Sequence, residues 1–136
     1  MKNAPIATLE SLTEGKRKIT YGVVKPGDPD PCEGIIFIRG GDISEGRINI
    51  PSLRTIRKDV SDQYKRTLLK GGELLVSLVG NPGEIASAPK KLAGANIARQ
   101  VGLIDLTDDV CHKFVEWFLR SPQGQAEMGL YVTGAV

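Results

Sequence analysis

Over the first hundred positions the apolar residues come in short runs bounded by glycine and proline, the punctuation of strands rather than of long helices. Lys25-Pro26-Gly27-Asp28-Pro29-Asp30-Pro31 carries three prolines, which fix φ and remove backbone donors, so it reads as a surface loop. Gly34 to Arg39 then reads as a short buried strand stopped by Gly40-Gly41-Asp42, where the Asp42 side chain can close a turn. Gly46 ends the next loop before Arg47-Ile48-Asn49-Ile50, an alternating strand. Residues 57–70 predict one short helix around Ser61–Arg66, with Ser61 as its N-cap. Gly71-Gly72 releases the chain into a buried strand, Glu73–Val79. The turn Gly80-Asn81-Pro82-Gly83 predicts a hairpin to Glu84–Ala88. Ala95–Leu106 reads as one further strand region.

A helical period appears only in the last thirty residues. Asp108 and Asp109 supply acceptors and negative charge for a helix start. Cys111, Phe114, Val115, Phe118 and Leu119 form an apolar stripe, and Glu116 and Arg120 fall at i,i+4 on the wet side. Ser121-Pro122 suits the end of this helix and the N-cap and first position of another. Strands first and helices last predict an α+β domain, mainly β: a curled or barrel-like sheet with one or two C-terminal helices packed on it.

Length and composition narrow this to one globular domain covering residues 1–136. The chain is 40% apolar and 25% charged, outside the ranges of disordered, collagen-like and coiled-coil classes. No apolar run approaches a membrane span and none opens the chain as a signal peptide would, so the expected compartment is the cytoplasm. Cys32 and Cys111 lack metal-ligand spacing and read as reduced thiols. The lone histidine, His112, reads as a surface residue. There is no GxGxxG, HExxH, GxSxG or complete phosphate loop, and no paired carboxylate set for a two-metal nuclease. No catalytic apparatus is recognisable, and no cofactor or metal is expected.

The net charge of +2 does not by itself announce a nucleic-acid binder, but residues 1–68 hold 12 basic against 9 acidic side chains. Within them Lys16-Arg17-Lys18, Arg54 with Arg57-Lys58, and Lys65-Arg66 are short basic clusters, each of which also fits a plain solvated surface; Lys90-Lys91 is a further basic pair. Asn96, Arg99 and Gln100 carry side chains that read base edges, Asn and Gln on adenine and Arg on guanine. Placed on one strand, Asn96 and Gln100 would share a face with Arg99 opposite; ordinary polar residues at an edge-strand start fit the same pattern. Tyr21 can stack, bond a phosphate or cap the core.

Five segments in order carry a resemblance. They are Ile19-Thr20-Tyr21-Gly22-Val23, Ile36-Phe37-Ile38-Arg39-Gly40-Gly41-Asp42-Ile43, and Arg66-Thr67-Leu68-Leu69-Lys70-Gly71-Gly72-Glu73-Leu74-Leu75-Val76-Ser77. Gly94-Ala95-Asn96-Ile97-Ala98-Arg99-Gln100-Val101 and Phe118-Leu119-Arg120-Ser121-Pro122-Gln123-Gly124 follow, with Gly80 and Gly83 between. Together, over about Leu9 to Val136, they resemble the target-recognition domain of type I restriction–modification specificity subunits.

The resemblance implies a non-catalytic role: sequence-specific binding of one half-site of split double-stranded DNA. Separate methyltransferase (modification) subunits would modify adenine, and a restriction motor subunit reached through them would cleave. Family members carry two recognition domains joined by long spacer helices. This chain stops at Thr133-Gly134-Ala135-Val136, about where the first spacer would approach, and so reads as a single recognition domain with spacer and second domain absent. From turn placement and side-chain chemistry, Lys16, Arg17, Lys18, Arg54, Arg57, Lys58, Lys90 and Lys91 are the expected phosphate contacts. Tyr21 joins them as a DNA contact, and Asn81, Asn96, Arg99 and Gln100 are the expected base readers. The alternative is a protein-interaction module that docks on a methyltransferase without touching DNA.

Overall fold

Leu74-Leu75-Val76-Ser77 forms strand β6, with all four residues buried. A strand buried on both faces reads as a continuous apolar run, and this one has a separate core on each side. The computed structural model describes residues 6–30 and 32–129; Pro31 and the Thr133–Val136 end lie outside the described residues. β6 sits in a four-stranded antiparallel sheet of order β1-β9-β6-β7, with β1 at Thr20–Tyr21, β7 at Ile85–Ser87 and β9 at Val101–Ile104. Leu75 lies opposite both Leu103 and Ala86. The expected hairpin after β6 is present: Glu84 N–H donates to Asn81 O across the Pro82-Gly83 turn.

A second sheet has order β5-β2-β8, from Arg54–Ile56, Ile35–Ile38 and Asn96–Ile97. β2 runs antiparallel to β5 and parallel to β8. Strands β3 (Ile43–Ser44) and β4 (Arg47–Ile48) form a hairpin. Its two-residue turn puts Glu45 and Gly46 at φ 54° and 76°, both left-handed as such a turn requires. Ile38, Ile43, Leu75, Ile97 and Leu103 fill the core between the sheets. Leu74, Val76, Ile85, Ile104 and Leu106 face the helices on the other side. The α+β class is borne out; the sheet divides into pieces, and among the described residues no closed barrel forms.

Several local expectations are corrected. The region from Ala95 to Leu106 is two strands in two sheets, because a turn closed by Val101 N–H on Ala98 O redirects the chain. Gln100 and Asn96 therefore share no strand face. Ile36 is 39% exposed, on the open side of β2. The strand at Arg47 ends at Ile48, and Ile50-Pro51-Ser52 is a tight helical turn. The helix after Arg57 is α1 (Lys58–Ser61), followed by a 3-10 stretch kinked at Tyr64. Ser61 caps nothing: it is buried, and its hydroxyl accepts from Asn96 Nδ2 at 2.9 Å.

Helix α2 spans His112–Arg120 and α3 spans Pro122–Met128. Ser121 caps α3 as expected, accepting from Gly124 N–H at 3.1 Å, with Pro122 in the first position. Asp108 and Asp109 do not cap α2; one pairs with Lys16 and the other accepts from the Thr107 hydroxyl. The buried strip of α2 is Val115 and Leu119, with Phe118 half-buried. Phe114 is 60% exposed and Cys111 is exposed, because a nine-residue helix meets the sheet along a narrow i,i+4 line. Glu116 and Arg120 form no ion pair among the described residues; the Arg120 guanidinium lies against Gly46.

Candidate nucleic-acid interface

Three segments converge where β2 and β6 end and β9 begins: Arg39–Asp42, Leu78–Gly80 and Arg99–Gln100. The backbones interlock. Leu78 N–H donates to Gln100 O at 2.7 Å, and a Cβ on Gly40 would come within 2.6 Å of Val79 O, so that position requires glycine. The Asp42 carboxylate is buried and accepts from Arg39 N–H at 2.8 Å, the turn closure read from the sequence. It also accepts from the Ser52 hydroxyl at 2.7 Å, and Arg39 Nη2 stands 3.5 Å from it.

Between these segments lies an open hollow of about 460 Å³, lined by Arg39, Asp42, Asn49, Ser52, Val79 and Gln100 and by Gly40, Gly41 and Gly80. Arg39 Nε and Gln100 Oε1, on two of the lining residues, are buried and have no hydrogen-bond partner among the described residues. A smaller hollow of about 340 Å³ lies beside Tyr21, walled by Gln63, Tyr64, Lys65 and Arg66.

Two of the sequence-derived candidates are structural. Asn96 is fully buried: Nδ2 donates to Ser61 Oγ at 2.9 Å and Tyr64 O at 3.2 Å, while Oδ1 accepts from Thr67 Oγ1 and Ile97 N–H. No hydrogen-bonding capacity remains for a base. Arg17 is held by Glu73 at 2.5 Å, Asp105 at 2.9 Å and the carbonyls of Leu68 and Arg66. Burial alone would lower its pKa, but the hydrogen bonds to Asp105 and Glu73 and their charges outweigh that, and the net shift is upward. Its charge is spent inside the fold.

Lys16, Arg57 and Lys58 pair at the surface with Asp108, Asp59 and Asp62. Lys18, Tyr21, Arg54, Asn81, Lys90, Lys91 and Arg99 are exposed. Strand direction separates this set. Arg99 and Gln100 precede β9, and Asn81 follows β6, at the end with the hollow; Arg54 is paired with Phe37 beside it. Lys16 to Lys18 precede β1, while Lys90-Lys91 follow β7, at the opposite end. Arg39, Asn49 and Ser52 were missed. The available signal for Arg39 was its position directly before the Gly40-Gly41-Asp42 turn.

No protein-family model matches the chain. The type I restriction enzyme EcoBI specificity subunit of Escherichia coli is 38% identical over 96 residues, covering 71% of this chain and 20% of that subunit. The chain therefore spans one fifth of the length of that relative. The crystal structure of an HsdS subunit from Thermoanaerobacter tengcongensis superposes with a TM-score of 0.64 over 92% of this chain and 30% of that one. At 15% identity this is a likeness of fold. The resemblance read from the five ordered segments is thus borne out, and the chain is related in sequence and in fold to type I restriction–modification specificity subunits.

Proposed function

We propose that the chain recognises one half of a split sequence in double-stranded DNA, as the specificity component of a type I restriction–modification enzyme. The observation that carries this reading is the 38% identity to a specificity subunit over most of the chain. The hollow supports it: arginine, asparagine and glutamine side chains, the residue types that read purines, converge on a glycine-lined edge. Contacts to phosphate would come from exposed cations such as Arg54 and Arg99, with Asn81 on the loop beside the hollow. Arg17 and Asn96 take no part.

In this reading the chain supplies recognition only, in the cytoplasm. Methylation and cleavage belong to methyltransferase subunits and to a motor subunit reached through them. Among the described residues no helix is long and apolar enough to cross a membrane, and no group of three or more His, Cys, Asp or Glu is arranged to hold a metal. A docking module that ignores DNA is the less favoured reading. A mobility-shift titration with mixed duplex DNA at low salt separates the two: retardation is expected, and no retardation at any protein concentration overturns DNA recognition.

A further inference from the structure

We infer that the hollow beside Tyr21 holds a phosphate of the DNA backbone, with Lys65 and Arg66 meeting its charge and the Tyr21 hydroxyl donating to it. This rests on the DNA reading above and adds a contact that does not depend on the target sequence. The hollow, of about 340 Å³, is lined by Thr20, Tyr21 and residues 62–67. Tyr21, Lys65 and Arg66 are exposed, and their side chains have no partner among the described residues. Ammonium and guanidinium groups only donate, and phosphate oxygens only accept, so the two match whatever the base sequence. Asp62, the carboxylate among the lining residues, is taken by Lys58 at 3.0 Å, which leaves the charge of Lys65 and Arg66 uncancelled.

The main chain beneath these cations is fixed from two sides. Arg17 Nη1 donates to Arg66 O at 3.1 Å and to Leu68 O at 2.6 Å. Asn96 Nδ2 donates to Tyr64 O at 3.2 Å, and Asn96 Oδ1 accepts from Thr67 Oγ1 at 2.6 Å. Arg17 and Asn96 thus hold the wall without touching the ligand, and contact costs side-chain freedom but little backbone ordering. The place on the molecule also fits. β1 ends at Tyr21, opposite Gly102 near the start of β9, which is the sheet end that carries Arg99. Arg99 N–H donates to Val23 O at 3.0 Å, two residues beyond Tyr21. A duplex that reaches Arg54 and Arg99 approaches the end where this hollow lies.

The test is a salt titration of duplex binding by the full 136-residue chain, on an A·T-rich and a G·C-rich duplex. Wild type is compared with the double variant Lys65→Ala, Arg66→Ala and with Tyr21→Phe. The double variant should flatten the slope of log K against log[salt] by about 2, equally on both duplexes. Tyr21→Phe keeps the ring and should weaken both about 2- to 10-fold with the slope unchanged, since it removes a hydrogen bond and no charge. Thermal melts of the variants check that the fold is kept; a purely structural role would move the melts and leave the salt slope alone. Inorganic phosphate, the free form of the same group, should displace duplex no better than chloride at equal ionic strength.

A double variant with unchanged slope and affinity, a loss confined to one duplex, or displacement by phosphate beyond that by chloride overturns the backbone site and leaves DNA recognition standing. Wild-type protein that retains no duplex at any salt concentration overturns both.

Discussion

Asn96 and Gln100 have the same amide chemistry, lie four positions apart and have opposite fates. Asn96 is consumed by Ser61, Tyr64, Thr67 and Ile97, and it ties the 3-10 stretch to β8. Asn96→Ala would strand several buried groups at roughly 1–3 kcal/mol each. A loss of about 3 kcal/mol in urea melts is expected, against less than about 1 kcal/mol for Gln100→Ala, which removes an amide oxygen that has no partner among the described residues. Equal midpoints for the two variants would contradict this contrast. The cue in the sequence was the company Asn96 keeps, Ala95, Ile97 and Ala98, all of them small or apolar and all buried. Arg17 makes the same point for charge. Its removal leaves Glu73 buried without its cation, so Arg17→Ala should cost about 3 kcal/mol, the low end for a broken buried pair because Arg17 and Asp105 each keep 18% exposure. Its pKa is raised, so the stabilisation is fully present below the ordinary guanidinium value and is lost only as pH rises through the still higher folded value. The wild-type minus Arg17→Met difference in stability should therefore stay flat across about pH 6–9, and a fall in that window would contradict the assignment.

At the scale of elements, periodicity found α2 but rotated its buried face. Leu119 is buried and its truncation should cost about 2–4 kcal/mol. Phe118 is half-buried, and Phe118→Ala should cost about 1–2 kcal/mol, less than full burial would imply. Phe114 and Trp117, exposed with ring centroids 6.2 Å apart, should each change stability by less than about 0.5 kcal/mol on truncation. Urea melts of the four variants give the ranking directly; a Trp117→Ala loss as large as that of Leu119→Ala would put the strip elsewhere. The strands were legible where their signal was local, as in the apolar run of β6 and the Asn81-Pro82-Gly83 turn. The division of residues 95–106 was not, because β8 is defined by a parallel partner, β2, on the far side of several intervening elements. Similarly, the two aspartates before α2 look like caps in isolation and are claimed by Lys16 and Thr107 once the chain folds.

At the scale of the whole molecule, the basic side chains separate by strand direction into two ends, and a duplex docked on one end leaves the other largely in solvent. The hollow lies with Arg39, Arg54 and Arg99 at one end; Lys18, Lys90 and Lys91 stand at the other. Composition could not show this, because the sum of +2 carries no direction. Each phosphate contact releases counterions and contributes about −0.9 to the slope of log K against log[salt]. With Arg54 and Arg99 on phosphates and one or two further cations, a slope of about −3 to −4 is expected, so binding should be weak and steep in salt. If the hollow faces the DNA, Arg54→Ala with Arg99→Ala should flatten the slope by about 2, while Lys90→Ala with Lys91→Ala leaves it within about 0.5 of wild type. All four side chains are exposed, so neither double variant should perturb folding, and thermal melts of both verify that. The opposite pattern, with the lysine pair carrying the slope, would turn the molecule around on its DNA.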